Sequence, residues 1–577
     1  MATMLMRNRA NNAQARVPQI KKPRSIFPIN KSRKQTMKAS YLIPIFYEEV
    51  LPGDTWEINM AAMIRMLPQI APPIDNLTVS TFFFFDPHRL QWEHFSNQHG
   101  EKKNPNDTID YLTPAIIPPV GGFKIKSLQD YLGKPTGVNI KTTALPERMY
   151  NRLYNAYFRS EMLQDSVYEN DTDSDDEAEN FELLKITKMH DYFTDALPSL
   201  QQGDPVQIPL GTSAPVYGVM GEKLRLRNST DNGQNGLEPI YPELGTPSYI
   251  QLQNPGATNG DGTYYTKLVP QGTTDIMKNS SMNVISKEIA VQGNGMSSGL
   301  YTDLSQAVAA DISALRLMIR TQEILEADNR NGVRYTEMLY SRYGCINPDL
   351  RLTRPQYLGG TRTPLTTTPV VQTSGTGENT NTPQGNLAGY GVTHDNGNVI
   401  RASFGEFGAI MGLMAITSTP QYQYGCHRKF TRFERFDYMY PEFTGISDQA
   451  IKNKELYAQN ESVKDENGNT VNEEPWGYIG RYDEYRYFNN EICGELKHEY
   501  SQSLSIWTYA ENMEELQNLN GNFIEDKTDL IVKDTMAVQN DENGDTEDQF
   551  ICDIRFAGAV SRVLPSKAIP QTGGRLI

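Results

Sequence analysis

The sequence predicts an all-β-dominated protein built as a sandwich or barrel, and two observations support that class. Pro and Gly, 34 and 44 in number, interrupt the chain often, which favours strands and loops over long helices. Residues 76–90, NLTVSTFFFFDPHRL, alternate along a strand and then place four consecutive Phe on both of its faces. A strand that is apolar on both faces must be covered on both, so this stretch is predicted to contain a central strand.

The two strands that precede this stretch are predicted from the same alternation. Residues 42–47 alternate between two faces, and Leu-Pro-Gly-Asp at residues 51–54 then forms a turn. Trp56, Ile58 and Met60 resume the alternation after the turn. The chain therefore reaches the phenylalanine run from two consecutive strands.

Three helices are predicted beside the strands. Asp86 is a typical capping residue before a helix over residues 88–97, and Pro146 suits the first turn of a helix that runs to residue 164. A third helix is predicted after Asp303, because apolar residues then recur at three- and four-residue spacing. These residues are Leu304, Val308, Ile312, Leu315 and Ile319.

The later part of the chain contains a predicted hairpin and two polar segments. Residues 530–538 are predicted to pair with residues 549–557, because Asn543-Gly544 between them is a strong turn signal. Residues 217–300 are rich in Gly, Asn, Ser, Thr and Gln, and residues 365–400 are a low-complexity Thr, Gly and Asn segment. A long polar insertion in a compact domain is either functional or disordered.

The charge distribution separates a basic N-terminal arm from an acidic remainder. The whole chain has a formal net charge of −16, but residues 1–38 contain ten Lys and Arg and no Asp or Glu. The arm is predicted to be disordered or extended and to contact phosphates without sequence preference. A solvated tail that keeps the protein soluble is the alternative. The candidate DNA-binding residues are Arg7, Arg9, Arg16, Lys21, Lys22, Arg24, Lys31, Arg33, Lys34 and Lys38.

A second candidate segment lies at residues 423–443 and is both aromatic and basic. In it Arg428, Lys429, Arg432 and Arg435 interleave with Phe430, Phe433 and Phe436. This pattern suits single-stranded nucleic acid, through stacking and charge. It also suits a contact between subunits, where Arg and aromatic residues are enriched, and this second interpretation is preferred.

Residues 169–182 form a third candidate, because acidic side chains occupy the first, third, fifth and twelfth positions of an EF-hand loop. The sixth position is Asp176, where the sharp turn of such a loop needs Gly. A solvated acidic surface loop is therefore predicted in place of a calcium site. No metal and no other cofactor is expected.

The four cysteines are widely separated and show no zinc-site spacing, which predicts buried, reduced thiols in a cytoplasmic protein. They are Cys345, Cys426, Cys493 and Cys552. No signal peptide is predicted, since the N-terminus lacks an apolar central region. The longest apolar stretch, residues 409–416, is far shorter than the roughly 20 residues that cross a bilayer, so no membrane insertion is expected.

No catalytic residues are predicted. The chain contains neither a GxxxxGK[ST] phosphate loop nor an HExxH motif. Two alternatives to a structural protein are a β-sandwich carbohydrate-active enzyme and a cellular nucleic-acid-binding protein. The enzyme would hydrolyse surface polysaccharide, and the nucleic-acid-binding protein would need a basic, repeated face, whereas the body of this chain is acidic.

Several long motifs resemble the major capsid protein of small icosahedral single-stranded DNA phages, the microvirus family, and within it the gokushovirus group. The motifs include SYLIPIFYEEVLPGDTWEINM, DNLTVSTFFFFDPHRLQWEHF, LPERMYNRLYNAYFR and KMHDYFTDALPSLQQGDPVQIPLGTSAPV. They occur in collinear order, and the resemblance covers residues 40–216, 303–375 and 385–560.

The resemblance implies an eight-stranded antiparallel jelly roll with long loop insertions and a few helices. It implies a T=1-like icosahedral shell around circular single-stranded DNA, with outer loops that contribute to host attachment. The implied partners are further copies of the chain, the DNA genome, scaffolding or internal and pilot-type virion proteins, and a host surface receptor. The implied location is the virion, which is assembled in the cytoplasm of a host bacterium.

Four parts of the chain are predicted on this basis. Residues 1–38 are the basic arm, and residues 39–216 are the first part of the jelly-roll core with its helices. Residues 217–300 are a polar insertion, a candidate protrusion at the three-fold axes of the shell. Residues 301–577 contain a helical insertion, the remaining core strands, inter-subunit loops and the C-terminal hairpin.

Overall fold

The computed structural model describes residues 24–201, 203, 354–371, 387–465, 468–536 and 548–566. Between residues 204 and 353 it describes six short strands and one helix. The chain divides into two compact units, which are Met1–Gln202 with Glu326–Ile577, and Gly203–Leu325.

Two five-stranded antiparallel sheets form the larger unit. Their strands in chain order are β1 (Ser25–Met37), β2 (Ile43–Val50), β3 (Thr55–Met66), β4 (Leu77–Pro87), β5 (Gln356–Gly359), β6 (Arg362–Leu365), β7 (Thr367–Val371), β8 (Leu387–Ser403), β9 (Gly408–Thr417) and β10 (Phe550–Arg562). The first sheet has the order β1-β10-β3-β8-β7. In the second sheet, β5 and β6 both pair with β4, followed by β9 and then β2.

Consecutive strands alternate between the two sheets from β1 to β4, and again from β8 to β10. Such repeated crossing between two antiparallel sheets agrees with the jelly roll that the resemblance implies. The prediction of an all-β-dominated fold with antiparallel sheets is confirmed.

The core between the sheets is built from both of them. The ring of Phe46 on β2 lies 4.8 Å from that of Phe556 on β10, and Phe83 on β4 lies 6.3 Å from each. All three side chains are fully buried. Burial of one such ring stabilises the fold by about 1.5–3 kcal/mol, so this contact joins the two sheets firmly.

The four phenylalanines of β4 are divided between two cores. Phe83 and Phe85 face the interior between the sheets, whereas Phe82 and Phe84 face a second apolar cluster on the outer side of the second sheet. There Phe158 lies 5.2 Å from Phe82 and 5.8 Å from Phe84. The predicted central strand, covered on both faces, is confirmed.

Helices supply much of the cover on the outer side of the second sheet. The helix Leu145–Leu153 continues as a π-helix, Tyr154–Phe158, and both contribute to the second cluster. Pro146 lies in the first turn, as predicted, because its missing N–H would have no partner there. The helical segment ends at Phe158, short of the predicted residue 164.

The predicted single helix over residues 88–97 is wrong. Two short helices, His88–Gln91 and Phe95–Gln98, occupy this region. Asp86 does not cap the first of them, because it belongs to β4 and its fully buried carboxylate accepts a hydrogen bond from the side chain of Gln91.

The other described elements of the larger unit are short. They include the helices Leu128–Leu132, Asn453–Leu456, Gly521–Ile524 and Thr528–Thr535, the antiparallel strands Gln449–Lys452 and Pro475–Ile479, the parallel strands Gln421–Tyr422 and Asn490–Glu491, and a three-stranded sheet of Ala115–Ile117, Thr142–Thr143 and Asp176–Glu177. A third apolar cluster, which contains Phe193, Trp476 and Phe523, joins several of these loop-borne elements.

The unit Gly203–Leu325 contains three antiparallel strand pairs. Val216–Gly218 pairs with Leu300–Thr302, so the two ends of the predicted insertion at residues 217–300 lie side by side. The other pairs are Arg225–Arg227 with Leu237–Pro239, and Ile250–Gln253 with Lys267–Pro270. The described helix of this region is Ile312–Arg330, and the predicted start after Asp303, with Leu304 and Val308, lies outside the described residues.

The predicted C-terminal hairpin is wrong. Residues 528–535 form a helix, and β10 pairs instead with β1 and β3. The apolar side chains of β10 at Cys552, Ile554 and Phe556 point into the core between the sheets. Their partners come from the other end of the chain, which a local turn signal does not reveal. The predicted tip at Asn543-Gly544 lies outside the described residues.

Two segments that the sequence analysis treated as irregular are long strands. Residues 25–37, part of the predicted disordered or extended arm, form β1 with alternate residues half-buried and exposed. Residues 387–403 of the Thr, Gly and Asn segment form β8. In both strands, polar and small residues occupy several inward-facing positions, so the alternation of apolar and polar residues that is typical of a strand is not visible in the sequence.

The cysteine prediction is partly wrong. Cys552 is buried as predicted, but Cys426 is only half-buried and Cys493 is exposed. All three are free thiols, and Cys345 lies outside the described residues.

Candidate assembly surface and nucleic-acid contacts

The aromatic and basic segment is held by three short 3-10 turns, Arg428–Phe430, Arg435–Asp437 and Pro441–Phe443. The carboxylate of Asp437 accepts hydrogen bonds of 2.8 Å from the backbone N–H groups of Phe433 and Glu434. These donors lower the pKa of the Asp437 carboxyl. A capping box of this kind fixes the backbone of the loop.

The turns hold large aromatic side chains out toward solvent. Phe433 is 86% exposed and Phe430 is 67% exposed, and Phe436, Tyr438 and Tyr485 are each about half exposed. We call these five side chains the aromatic surface. Arg432 joins two of them, because its guanidinium lies 5.9 Å from the ring of Tyr438 and 4.5 Å from that of Tyr485. Exposed apolar surface of this extent marks a site of interaction with another molecule.

Two cations of the segment are neutralised by carboxylates within the chain. Arg428 lies 3.0 Å from the carboxylate of Glu455, and Arg432 lies 3.1 Å from that of Glu484. Both carboxylates are almost completely buried. Burial raises the pKa of the Glu455 carboxyl, and Arg428 opposes that rise.

The other two cations are also held by the chain. Lys429 lies 2.7 Å from Glu491 in an exposed pair, and Arg435 donates to the hydroxyl of Tyr440 at 3.0 Å. Cations whose charge is offset by a carboxylate have less to offer phosphate groups, and this applies to Arg428, Lys429 and Arg432. The geometry of the segment therefore favours a subunit contact over a DNA site.

The described cations of the predicted arm do not converge on one site. Lys31 lies 2.6 Å from Glu48, and Arg33 donates to the backbone carbonyl of Tyr131. Both side chains lie on the half-buried side of β1, whereas Lys34 is exposed on the opposite side. Arg24 precedes the strand and Lys38 is half-buried after it. Arg7, Arg9, Arg16, Lys21 and Lys22 lie outside the described residues.

The acidic loop is more firmly attached than a solvated loop would be, so that prediction is wrong in part. Asp173 accepts a 2.6 Å hydrogen bond from the indole of Trp92, and Asp175 accepts one of 2.9 Å from the backbone N–H of Ala115. Asp176 is buried and forms an ion pair with Arg148. The loop thus tethers the helical cover of the second sheet. In the part of the chain that the structure describes, no group of His, Cys, Asp and Glu is arranged to hold a metal ion.

Sequence reasoning missed a second exposed apolar region. Val120, Leu112 and Ile125 are 104%, 86% and 75% exposed on the loops that lead to the helix Leu145–Leu153. The signal was present, since these residues stand in a Pro- and Gly-rich stretch without the alternation that would bury them. The isolated ring of Phe488, which is 89% exposed, was missed as well.

A cleft of about 280 Å³ lies beside Phe488, and His190, Asp191 and Tyr487 contribute to its lining. Asp191 is the one carboxylate among the described residues that line it, and that side chain accepts a hydrogen bond from Tyr422 at 2.6 Å. Hydrolysis of a glycosidic bond usually needs two facing carboxyl groups. This cleft therefore lacks the pair that the carbohydrate-active alternative requires.

No helix among the described residues is long and apolar enough to cross a bilayer.

An antiparallel sandwich with long loops and an exposed aromatic surface agrees with a structural protein. Comparison with known proteins specifies the class. The chain belongs to the phage capsid protein (F protein) family, whose model matches residues 15–572.

Three relatives are each named capsid protein VP1. The chain is 36% identical over 573 residues to that of Bdellovibrio phage phiMH2K, which covers 97% of this chain and 98% of the relative. It is 32% identical over 600 residues to that of Chlamydia phage 1, with 97% of each chain covered. It is 28% identical over 566 residues to that of Spiroplasma virus 4, with 95% of each chain covered.

The chain is therefore a structural capsid protein of a phage virion and not an enzyme. As a member of this family it assembles with copies of itself into a shell that contains the viral genome.

Proposed function

We propose that the chain is the major capsid protein of a T=1-like icosahedral shell around circular single-stranded DNA, with the two-sheet sandwich as its jelly roll. The observation that carries the proposal is the aromatic surface. Five aromatic side chains, four on residues 428–443 and Tyr485 on the turn Asp483–Tyr485, are exposed in the isolated chain, while Arg428 and Arg432 are already paired with carboxylates. Burial of such rings against a neighbouring copy would stabilise the contact between the two subunits.

Closed symmetry explains why such a surface does not lead to open-ended polymers. A contact between unlike patches of identical subunits generates a closed assembly when successive rotations from one subunit to the next lead back to the first subunit. In an icosahedral shell every copy has its loops covered by neighbours, so the aromatic surface is exposed only before assembly.

The test replaces Phe433 and Phe436 by Ala and follows shells by sedimentation and electron microscopy. Both rings are exposed and contribute little to the fold of the subunit. Shells should become rare, with a folded, slowly sedimenting subunit in their place. Val370→Ala is the matched control, because Val370 is 48% exposed on β7, away from the aromatic surface. If the double variant formed shells with the yield of the wild type, the proposed role of the aromatic surface in subunit contacts would be contradicted.

We propose that residues 217–300 contribute to host attachment through a surface receptor. The pairing of Val216–Gly218 with Leu300–Thr302 supports the idea that this insertion is a separable protrusion. Because the two ends lie side by side, a short linker can replace residues 220–295. Such particles should assemble but fail to adsorb to host cells, and unchanged adsorption would contradict the role.

The basic arm is proposed to contact the packaged DNA. Since residues 25–37 are a strand of the first sheet, a deletion that tests the arm must end before Ser25. Removal of residues 2–22 should lower the DNA content of the particles more than their number. Particles with normal DNA content would contradict this role.

Scaffolding or internal proteins and pilot-type proteins are proposed as further partners, with assembly in the cytoplasm of a host bacterium. The membership of the capsid family supports this part of the proposal. Expression of the chain alone in bacteria, followed by electron microscopy, tests whether shells need such partners. Complete shells from the chain alone would remove the requirement for scaffolding.

A further inference from the structure

The two sheets of the sandwich differ in how their outer faces are covered. The outer face of the second sheet is buried under the helix Leu145–Leu153 and neighbouring loops. No described helix or loop covers the outer face of the first sheet. Exposed polar residues occupy its centre, and the exposed apolar residues Ile26, Tyr390 and Ile551 also belong to it.

Strand register makes the central part of this face flat and polar. One row across four strands consists of Ser32, Arg555, Ala61 and Asn396. The adjacent row consists of Asn30, Ala557, Asn59 and Asn398. Because most of these side chains are short and uncharged, the guanidinium of Arg555 stands above its neighbours.

The face is poor in carboxylates although the whole chain carries a net charge of −16. Its two carboxylates each lie directly opposite a cation, Asp553 opposite Lys34 and Glu57 opposite Arg401. Arg555 lies opposite Ser32 and Ala61. Arg555 thus has no carboxylate opposite it on either neighbouring strand, so no cross-strand pair offsets its charge.

Arg65 is the second uncompensated cation of this face, since its register partners are Ile551 and Val392. Arg65 stands four residues along β3 from Ala61, the partner of Arg555. This separation corresponds to about 13 Å along the strand, enough for a few nucleotides of a single strand.

The basic arm enters the fold at the same sheet. β1 is the edge strand of the first sheet, and residues 1–23 precede it. Five of the ten cations of the N-terminal segment, from Arg7 to Lys22, lie in that preceding stretch. The chain therefore enters this sheet directly after a stretch of sequence that contains five cations.

We propose that the outer face of the first sheet is the side of the subunit that meets the single-stranded DNA, with Arg65 and Arg555 as phosphate contacts. This inference rests on the proposed shell around DNA. The binding is independent of sequence, because the face offers cations and short polar side chains but no pocket for a base. It also gives the sandwich an orientation, with the first sheet inward and the covered second sheet outward.

The experiment compares purified particles of the wild type with those of Arg65→Gln/Arg555→Gln. The matched control is Lys102→Gln/Lys103→Gln, which removes two exposed positive charges from the loop after the helix Phe95–Gln98. The sheet variant should form shells that contain measurably less DNA per protein, as judged by ultraviolet absorbance and nucleic-acid extraction. The control should retain the DNA content of the wild type.

A second measurement keeps the inference testable where the sheet variant forms few shells. Full-length unassembled subunits are titrated with a single-stranded oligothymidylate at several salt concentrations. Loss of two phosphate contacts should make the slope of log K against log salt shallower by about 1.4. Arg65→Lys/Arg555→Lys keeps both charges and should retain the slope.

The outcomes separate the inference from the function on which it rests. Wild-type shells without DNA would contradict the proposed function itself. Wild-type shells with DNA, together with unchanged DNA content and slope in the glutamine variant, would overturn only the inference. Loss of shells with an unchanged slope would also overturn it, because the face would then serve a protein contact.

Discussion

Arg148 and Asp176 form an ion pair of 2.6 Å in which both side chains are almost completely buried. The guanidinium also donates to the backbone carbonyls of Thr172 and Ser174, at 2.9 Å each. One side chain of the helix Leu145–Leu153 thus holds the acidic loop against the cover of the second sheet. A buried charge without its partner is costly, which makes this pair a sensitive point of the fold.

Replacement of Asp176 by Asn should lower the free energy of unfolding of the isolated subunit by about 3–5 kcal/mol. The physical reason is that Arg148 would keep its charge in a buried site without its anionic partner. Urea unfolding followed by circular dichroism measures the change. Glu491→Gln is the control, because Glu491 forms an exposed pair with Lys429 and such pairs contribute about 1 kcal/mol or less. Equal losses in the two variants would contradict the buried-pair account.

The carboxyl of Asp86 should make the stability of the subunit depend on pH. Burial raises its pKa from the usual 3.8 to about 7, although Arg152 and the side chain of Gln91 oppose that rise. A raised pKa in the folded state means that the folded chain holds its proton more tightly than the unfolded chain. The contribution of Asp86 is therefore most favourable below pH 4 and is lost as the pH rises through 7.

Asp86→Asn keeps the shape and the hydrogen bond from Gln91 but removes the charge. The variant should gain stability relative to the wild type by about 1.4 kcal/mol per pH unit between the two pKa values, up to about 4 kcal/mol. Urea titrations at pH 5 and pH 8 provide the comparison. If the variant and the wild type differed in free energy of unfolding by the same amount at both pH values, the raised pKa of Asp86 would be refuted.

Gly558 on β10 should not tolerate a side chain. A Cβ atom at this position would lie 2.0 Å from the backbone carbonyl oxygen of Glu57, which cannot move without breaking the ladder between β10 and β3. Gly558→Ala should lower the melting temperature and cost about 1–3 kcal/mol or more. Gly405→Ala is the control, because no atom lies within 4 Å of its added Cβ. Equal melting temperatures for the two variants would show that the strands can separate to admit the methyl group.

The parts of the fold that could be predicted from the sequence are those whose burial is two-sided or strictly alternating. β4 with its phenylalanines, and β2 and β3 before it, show that signal in the side chains themselves. β1 does not, because Lys31 and Arg33 occupy half-buried positions where their aliphatic stems cover the edge of the core. A strand of this kind has the composition of a disordered arm.

The pairing of β10 could not be predicted either. Its apolar alternation indicates a strand, but its neighbours β1 and β3 lie about 500 residues away in sequence, beyond the reach of a local turn signal. The aromatic surface was predicted as a segment, whereas the carboxylates that neutralise Arg428 and Arg432 come from distant loops and become visible only in the fold.

Electron microscopy of sedimentation fractions from phage-producing cells tests the central claim most directly. The account predicts uniform small icosahedral particles that contain this chain together with single-stranded DNA. A monomer or small oligomer that sediments slowly in every fraction would contradict it.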